Sequence, residues 1–477
     1  NDPSLATFPI VTRAHFDLFG RLFSPKFVNQ DADPYLFELY RRVGRSTLLT
    51  ETSLTNLKGG CVSFHSEDSN PRYERKPLIG WKDLCLSPDA RTLKRAMSDT
   101  SSQLPTPFVT IDVVVPSFRT PTDKLRKLTS LHDPPNSSIK YIIIIDDPTS
   151  PNISEILKLQ NERVRVRVNR SNVGAPASRS RGLEEACAEW VLFFDDDVDV
   201  TQDCLDAYVL AAAQHGTKYS GFVGTTILPA VNRLLHEATR LSDITFFYNI
   251  PKCMSNNVPW GVTANLMVRR VEGLYFDTDY AKTGGGEDVD YCIRLVRALE
   301  LPLARTSTAN VVHEWWSASD PLTYLYRFWK WTMGDGYLLY KHPQYVYLSF
   351  PNAVEASFIL LFALIPFFTF GRLFSLLLAI WTVEIFSETL RALQGPHSRH
   401  LDVDRRIVAA VLSSIVKNVV DTGHLAFHII HMQPTFVLHR FDFFLGRHNV
   451  IHKERIKFAK RNGIWLIIVA IMLASNQ

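Results

Sequence analysis

The chain has 477 residues, enough for two or three structural units rather than one. Its net charge of +4, from 52 Lys and Arg against 48 Asp and Glu, argues against a dedicated nucleic-acid binder. The six cysteines (Cys61, Cys85, Cys187, Cys204, Cys253, Cys292) contain no CxxC pair, which argues against a zinc site or a disulfide framework and fits a reducing compartment.

Residues 1–105 read as a small accessory region. No apolar stretch of signal-peptide type lies near its first residues. Ser46 to Ser63 alternates in the manner of short strands, with Gly59-Gly60 as a turn, and Ser98 to Pro107 reads as a linker. Residues 106–345 change character. Ile111 to Pro116 and Tyr141 to Ile145 are β-branched runs ending in polar residues, as buried parallel strands do. Helical stretches follow at Lys124 to Leu131 and Ile153 to Gln160; Val164 to Val168 is a strand, Ala175 to Ala188 a helix and Trp190 to Phe194 a strand. Strands alternating with helices predict an α/β doubly wound sheet, whose ligands bind at the carboxyl ends of the strands.

Residues 346–477 are predicted to be membrane-associated helices. Ala356 to Phe370 and Leu373 to Phe386 are strongly apolar and are separated by Gly371-Arg372. Each falls short of the roughly 20 residues that cross a bilayer core unless its flanks extend it. They read as a hairpin of two membrane helices, the alternative being two buried core helices. Ile407 to Ile430 is apolar but holds Lys417, Asn418, Asp421, His424 and His428, costly groups in lipid, so it is expected to be interfacial or re-entrant. Ile464 to Ala474 is a short apolar tail. The basic segments Arg391 to Arg406 and Arg440 to Arg461 belong on the cytoplasmic side, and the hairpin then puts the α/β domain there too.

Three groups of residues suggest chemistry. In Phe193-Phe194-Asp195-Asp196-Asp197-Val198-Asp199 an apolar strand runs into clustered carboxylates, whose mutual repulsion a Mg²⁺ or Mn²⁺ ion relieves. Gly284-Gly285-Gly286-Glu287-Asp288 precedes a helix; its acids read either as caps or as a general base that deprotonates an attacking hydroxyl. His313, in Val311-Val312-His313-Glu314-Trp315-Trp316, reads either as a third metal ligand or as a structural histidine. Trp260, Trp315 and Trp316 either stack on sugar rings or serve as core and interface aromatics.

Between Val109 and Trp331 the order of these motifs resembles the family 2 inverting glycosyltransferases of GT-A fold. The resemblance implies a nucleotide-facing turn at Pro116 and Phe118, base contacts at Asp146 and Asp147, and a nucleotide and diphosphate support at Asn172 and Arg179. It implies a DxD motif at Asp195-Asp196-Asp197, with Asp195 and Asp196 at the donor and Asp195 and Asp197 at the metal, whose coordination His313 would complete. It further implies an acceptor-side loop from Gly261 through Asn265 and an ED motif at Glu287-Asp288. Arg327-Phe328-Trp329-Lys330-Trp331 resembles the (Q/R)xxRW motif of membrane polysaccharide synthases, with Lys330 in place of Arg.

The expected reaction moves a sugar from a nucleotide-diphosphate sugar to a hydroxyl of a glycan or lipid-linked acceptor at the cytoplasmic membrane face. UDP is the default nucleotide because the resembled family mostly uses it. Asp288 would be the base. Trp260, Gly261, Asn265, Trp315, Trp316, Arg327, Lys330 and Trp331 would meet the acceptor. Galactofuranosyltransferase-like elongation, a non-catalytic nucleotide-sugar-binding subunit of a synthase complex, and a nucleotidyltransferase are the rivals.

Overall fold

The computed structural model describes residues 107–447 except 232, 255, 281, 283, 364–368, 396–401 and 432, together with 13–23, 27, 35, 36, 39, 40, 88–93, 456, 459–467, 470 and 471. The expected strands between Ser46 and Ser63 lie outside these residues, as does the Ser98 to Pro107 linker up to residue 106. The chain divides into two units, residues 1–107 and 108–477. In the first, helix α1 (Arg13–Phe19) is followed by a small core of Tyr35, Leu36, Leu39 and Leu93.

The second unit is built on a nine-stranded sheet. Its strands are β1 (Val109–Ser117), β2 (Ser137–Ile145), β3 (Val164–Val168), β4 (Trp190–Phe194), β5 (Val198–Val200), β6 (Gly221–Ile227), β7 (Asn257–Val258), β8 (Asn265–Arg269) and β9 (Leu303–His313). The order is β3-β2-β1-β4-β8-β6-β9-β5, with β7 paired to β9. β3, β2, β1 and β4 run parallel, whereas β8 joins antiparallel to both β4 and β6. The sheet is therefore mixed, in agreement with a GT-A fold.

β1 is buried at every residue except Thr110, because helices cover both faces of a central parallel strand. Asp112 is tolerated inside it because its carboxylate accepts the amides of Cys187 (2.6 Å) and Ala188 (2.8 Å), which fixes the approach to β4. Helices α2 (Thr122–Thr129), α3 (Ile153–Leu157), α4 (Ala175–Glu185) and α5 (Gln202–His215) alternate with the early strands. The helices expected up to Leu131, Gln160 and Ala188 end earlier, at Thr129, Leu157 and Glu185, and the strands begin earlier, at Val109 and Ser137. α6 (Leu234–Ser242) and the short α7 (Ile250–Cys253) follow, then α8 (Glu287–Leu299) and α9 (Pro321–Lys341).

β10 (Val346–Leu348) pairs with β11 (His439–Phe441) and encloses α10 (Ala353–Ala363), α11 (Phe370–Gln394) and α12 (Val403–Ile430) in sequence. Gly371-Arg372 lies inside α11 rather than between two helices, so the expected break falls earlier. By length and composition α11 is the one helix among the described residues that could cross a membrane. In α12 the polar residues that suggested an interfacial or re-entrant helix lie on its inner side. Asn418 and His428 are buried, Lys417, Asp421 and His424 are half-buried, and the exposed residues are mainly apolar (Val403, Ile407, Val408, Val411, Ile415, Ile429 and Ile430), with Asp404, Arg405 and Thr422 among them. Its polar groups turn towards α6, α9 and α11, so lipid contact on the outer face would not desolvate them.

Candidate active site

The carboxyl ends of β1 and β4, the loop before β8 and the start of α8 converge on one cavity of 1070 Å³. β1 ends at Ser117, and the next residues fold over the β4 acids: Phe118 N–H donates to Asp196 Oδ2 at 2.7 Å, as does the Thr120 hydroxyl. Burial pushes the Asp196 carboxyl up to about 7, opposed by those two hydrogen bonds. Burial likewise raises Asp197, opposed by His313.

Arg179 joins the two acidic motifs. Its side chain is almost wholly buried, on α4, which packs against β1 and β2. Nη2 donates to Asp195 Oδ1 at 2.8 Å and Nη1 to Glu287 Oε1 at 3.0 Å, with Asp288 Oδ1 3.9 Å away. Burial disfavours the guanidinium charge, and Asp195, Asp288 and Glu287 more than offset it. A planar fork suits this double task, which a lysine could not perform.

Glu287 and Asp288 open α8, and three glycines set their position. Gly284, Gly285 and Gly286 all have positive φ. A Cβ on Gly285 would stand 2.4 Å from the Trp331 carbonyl oxygen, and one on Gly334 would stand 2.3 Å from Gly285 O. α9 therefore crosses the start of α8 backbone to backbone. Gly285 N–H donates to Glu287 Oε2 at 2.6 Å. Asp288 accepts from Thr263 N–H (3.1 Å) and from the Thr263 hydroxyl (3.0 Å). Burial and then Glu287 hold the Asp288 carboxyl well above the ordinary range, with Arg179 opposing.

Asp195, Asp197 and His313 each offer one atom, all within 4.8 Å of one another. His313 Nε2 is 3.2 Å from Asp197 Oδ1, and Nδ1 is 2.5 Å from the Glu314 carbonyl oxygen. That contact orients the ring and leaves Nε2 facing the acids, an arrangement usual for metal-ligating histidines. Two carboxylates and one imidazole fit a hard or borderline divalent cation.

Pro116, Phe118, Asp146, Asn172, Arg179, Asp195, Asp196, Asp197, Glu287, Asp288 and His313 line the cavity, and so do Trp260, Trp316, Arg327, Lys330 and Trp331. Four of the expected site residues do not. Asp147 turns to Arg119 (2.6 Å) and Thr149, which hold its carboxyl down at about 2, the Thr149 hydrogen bonds contributing most. Asn265 is buried under the sheet, donating to Thr225 O and Ala309 O and accepting from the Tyr208 hydroxyl. Its amide stands where a Cβ on Gly224 would be, beside the irregularity in β6. Trp315 donates to Pro229 O and stacks on His236, and Gly261 packs on Val223. Asp146, although at the cavity wall, accepts from Asn169, Val173 N–H, Gly174 N–H and Ser178, so it anchors the 172–174 turn.

The cavity also has walls that the motif reading missed. Thr263 orients Asp288 and Asp335 lies one turn beyond Trp331, while Thr120, behind the wall, orients Asp196. Arg391, Lys417, Asp421, His424 and Arg440 come from α11, α12 and β11. The signal for α12 was the ionisable residues inside an apolar stretch, which mark functional positions by default.

Residues 112–270 match the family model described as glycosyl transferase family 2, so the chain carries a domain of a family 2 glycosyltransferase. No curated protein matches it. Among solved structures the chain is similar to GalNAc-T7 with UDP, GalNAc and Mn²⁺ (TM-score 0.35, 14% identity, 50% of this chain and 51% of that one). It is also similar to a fragment of S. aureus TarS in complex with UDP-GlcNAc (TM-score 0.33, 12% identity, 68% and 92%) and to S. aureus TarS (TM-score 0.34, 14% identity, 66% and 55%). The chain thus spans about half the length of the first of these.

Proposed function

We propose that the protein is a membrane-associated, metal-dependent inverting glycosyltransferase that moves a sugar from a nucleotide-diphosphate sugar, with UDP as the nucleotide, to an acceptor hydroxyl. The observation behind this reading is the Arg179 bridge, which brings Asp195 and the Glu287-Asp288 pair to one cavity although they are far apart in sequence. A divalent cation held by Asp195, Asp197 and His313 Nε2 would neutralise charge on the departing diphosphate.

The chain's own residues supply the rest. Asp288, oriented by Thr263, takes the proton of the acceptor hydroxyl, which attacks the anomeric carbon from the side opposite the leaving group. The raised proton affinity of Asp288 makes it a stronger base than a free carboxylate. Arg179 and Glu287 hold Asp288 and Asp195 in fixed relation. Arg327 and Lys330, on the α9 wall, lie where acceptor or diphosphate would pass.

Donor hydrolysis by the full chain, followed as nucleotide diphosphate release with Mn²⁺ and with chelator, tests the reading. Release is expected with the ion and absent with chelator. Asp288→Asn is expected to lower transfer about 10²–10⁴-fold while sparing donor binding. Full turnover by that variant would remove Asp288 from the mechanism, and pyrophosphate as the product would favour a nucleotidyltransferase.

A further inference from the structure

Beside the catalytic cavity lies a second concavity of 410 Å³. α9 presents Tyr326, Trp329, Met333 and Tyr337 to it, at steps of three and four residues that fall on one helical face. The far end of α12 contributes Phe427, and His431 follows directly after the helix. The Tyr326 and Trp329 rings lie stacked, with centroids 5.5 Å apart and planes at 17°, and Tyr326 is 52% exposed. At the other end His431 stacks on Phe427 (4.1 Å), and its Nε2 is 3.2 Å from the Tyr337 hydroxyl.

The groove's rim is polar and shares two residues with the cavity. Lys282 and Lys330 border both. Lys330 Nζ sits 4.9 Å from the centre of the Tyr326 ring, and Asp279 adds a carboxylate. Flat aromatic faces edged by hydroxyl, indole, ammonium and imidazole groups match a sugar ring, which has an apolar C–H face and a hydroxyl edge. A lipid tail laid here would desolvate Lys330, Lys282, which donates to Asn172 O at 2.7 Å, and Asp279, which pairs with Lys341 at 3.3 Å, and would offer none of them a hydrogen bond.

We propose that this groove binds the body of a saccharide acceptor whose terminal hydroxyl reaches Asp288. The inference rests on the transfer reaction proposed above and narrows its acceptor to a glycan chain. The groove lies on the surface, so the saccharide lies across α9.

The full chain in detergent, run in affinity electrophoresis against soluble glucan, mannan, galactan and chitin oligosaccharides, tests this. Retention by at least one is expected, and at least tenfold weaker retention in Trp329→Ala and in Tyr326→Ala. Thermal stabilisation by UDP with Mn²⁺, retained in both variants, confirms that they are folded. No retention of the unsubstituted chain by any of the four, or unchanged retention in both variants, overturns the proposal. So does a tenfold loss of binding to phosphatidylserine vesicles with saccharide retention intact, which makes the surface a lipid-headgroup contact. Retention lost in the variants, from a chain that never hydrolyses donor, would leave the groove standing and remove the transfer reading instead.

Discussion

Asp288 shows how a carboxylate becomes useful through its surroundings. Burial and Glu287 raise its proton affinity, while Arg179 and the Thr263 hydrogen bonds restrain the rise. A base acts only when ionised. Transfer is therefore expected to fall on acidification through a value above the roughly 4 of a free carboxylate, and to recover as the pH rises. Thr263→Val removes the hydroxyl bond that favours the ionised form, so the acid limb of kcat/KM against pH should move to higher pH. An unmoved limb would assign the titration to another group. The acids themselves were legible because strand-end carboxylates and a glycine run before a helix are local patterns. Thr263 was not legible, since a threonine 25 positions away carries no mark of the carboxylate it orients. Asp147 and Asn265 fitted their motifs, yet their hydrogen bonds turn them away from the cavity.

Among the elements, the crossing of α8 and α9 fixes the site more than any one bond does. Gly285, at φ +116°, lies against Trp331, and Gly334 lies against Gly285. Gly285→Ala is expected to destabilise the protein by about 1–3 kcal/mol, from the φ strain and from displacement of α9. Because Trp331 and Asp335, which line the cavity, move with α9, acceptor affinity should fall together with Tm. A lowered Tm with unchanged affinity would show that the crossing serves stability alone. α9 and α12 meet just as closely: a Cβ on Gly423 would stand 2.6 Å from Trp329 O, and one on Gly336 would stand 2.3 Å from the Phe427 ring. That approach explains why α12, apolar with polar interruptions, belongs to the body of the unit. Lys417 is held by Glu388 at 3.1 Å and lies 3.7 Å from Glu384, both carboxylates being buried on α11.

Over the whole second unit, α10 and α11 pack through Leu360, Leu373 and Leu376. The far end of α11 returns to the catalytic body, where Arg391 donates to Leu241 O at 3.0 Å and Ala392 packs with Leu241, Ala409 and Ala410. The described part of α10 covers 11 residues, about 16 Å of helix. Phe362, Phe370, Phe374 and Phe386 stand 61–85% exposed. The exposed aromatics on α11 give it an apolar outer face of the kind a membrane would cover. Phe374→Lys with Phe386→Lys is expected to release the full chain from vesicles at moderate salt, each charge costing about 2.5–3.5 kcal/mol if buried in hydrocarbon. Retention equal to that of the unsubstituted chain would place the membrane contact elsewhere.

The amino-acid sequence by itself determined the alternating strands and helices, the acidic strand end and the apolar C-terminal stretches, because each depends on neighbours a few positions apart. Tertiary structure alone decided which acids share a cavity, that the polar residues of α12 face the catalytic side, and that an aromatic groove adjoins it. Those outcomes depend on close backbone approach between helices and on an arginine reaching across 108 positions to Glu287, and such distances have no local signature in the chain.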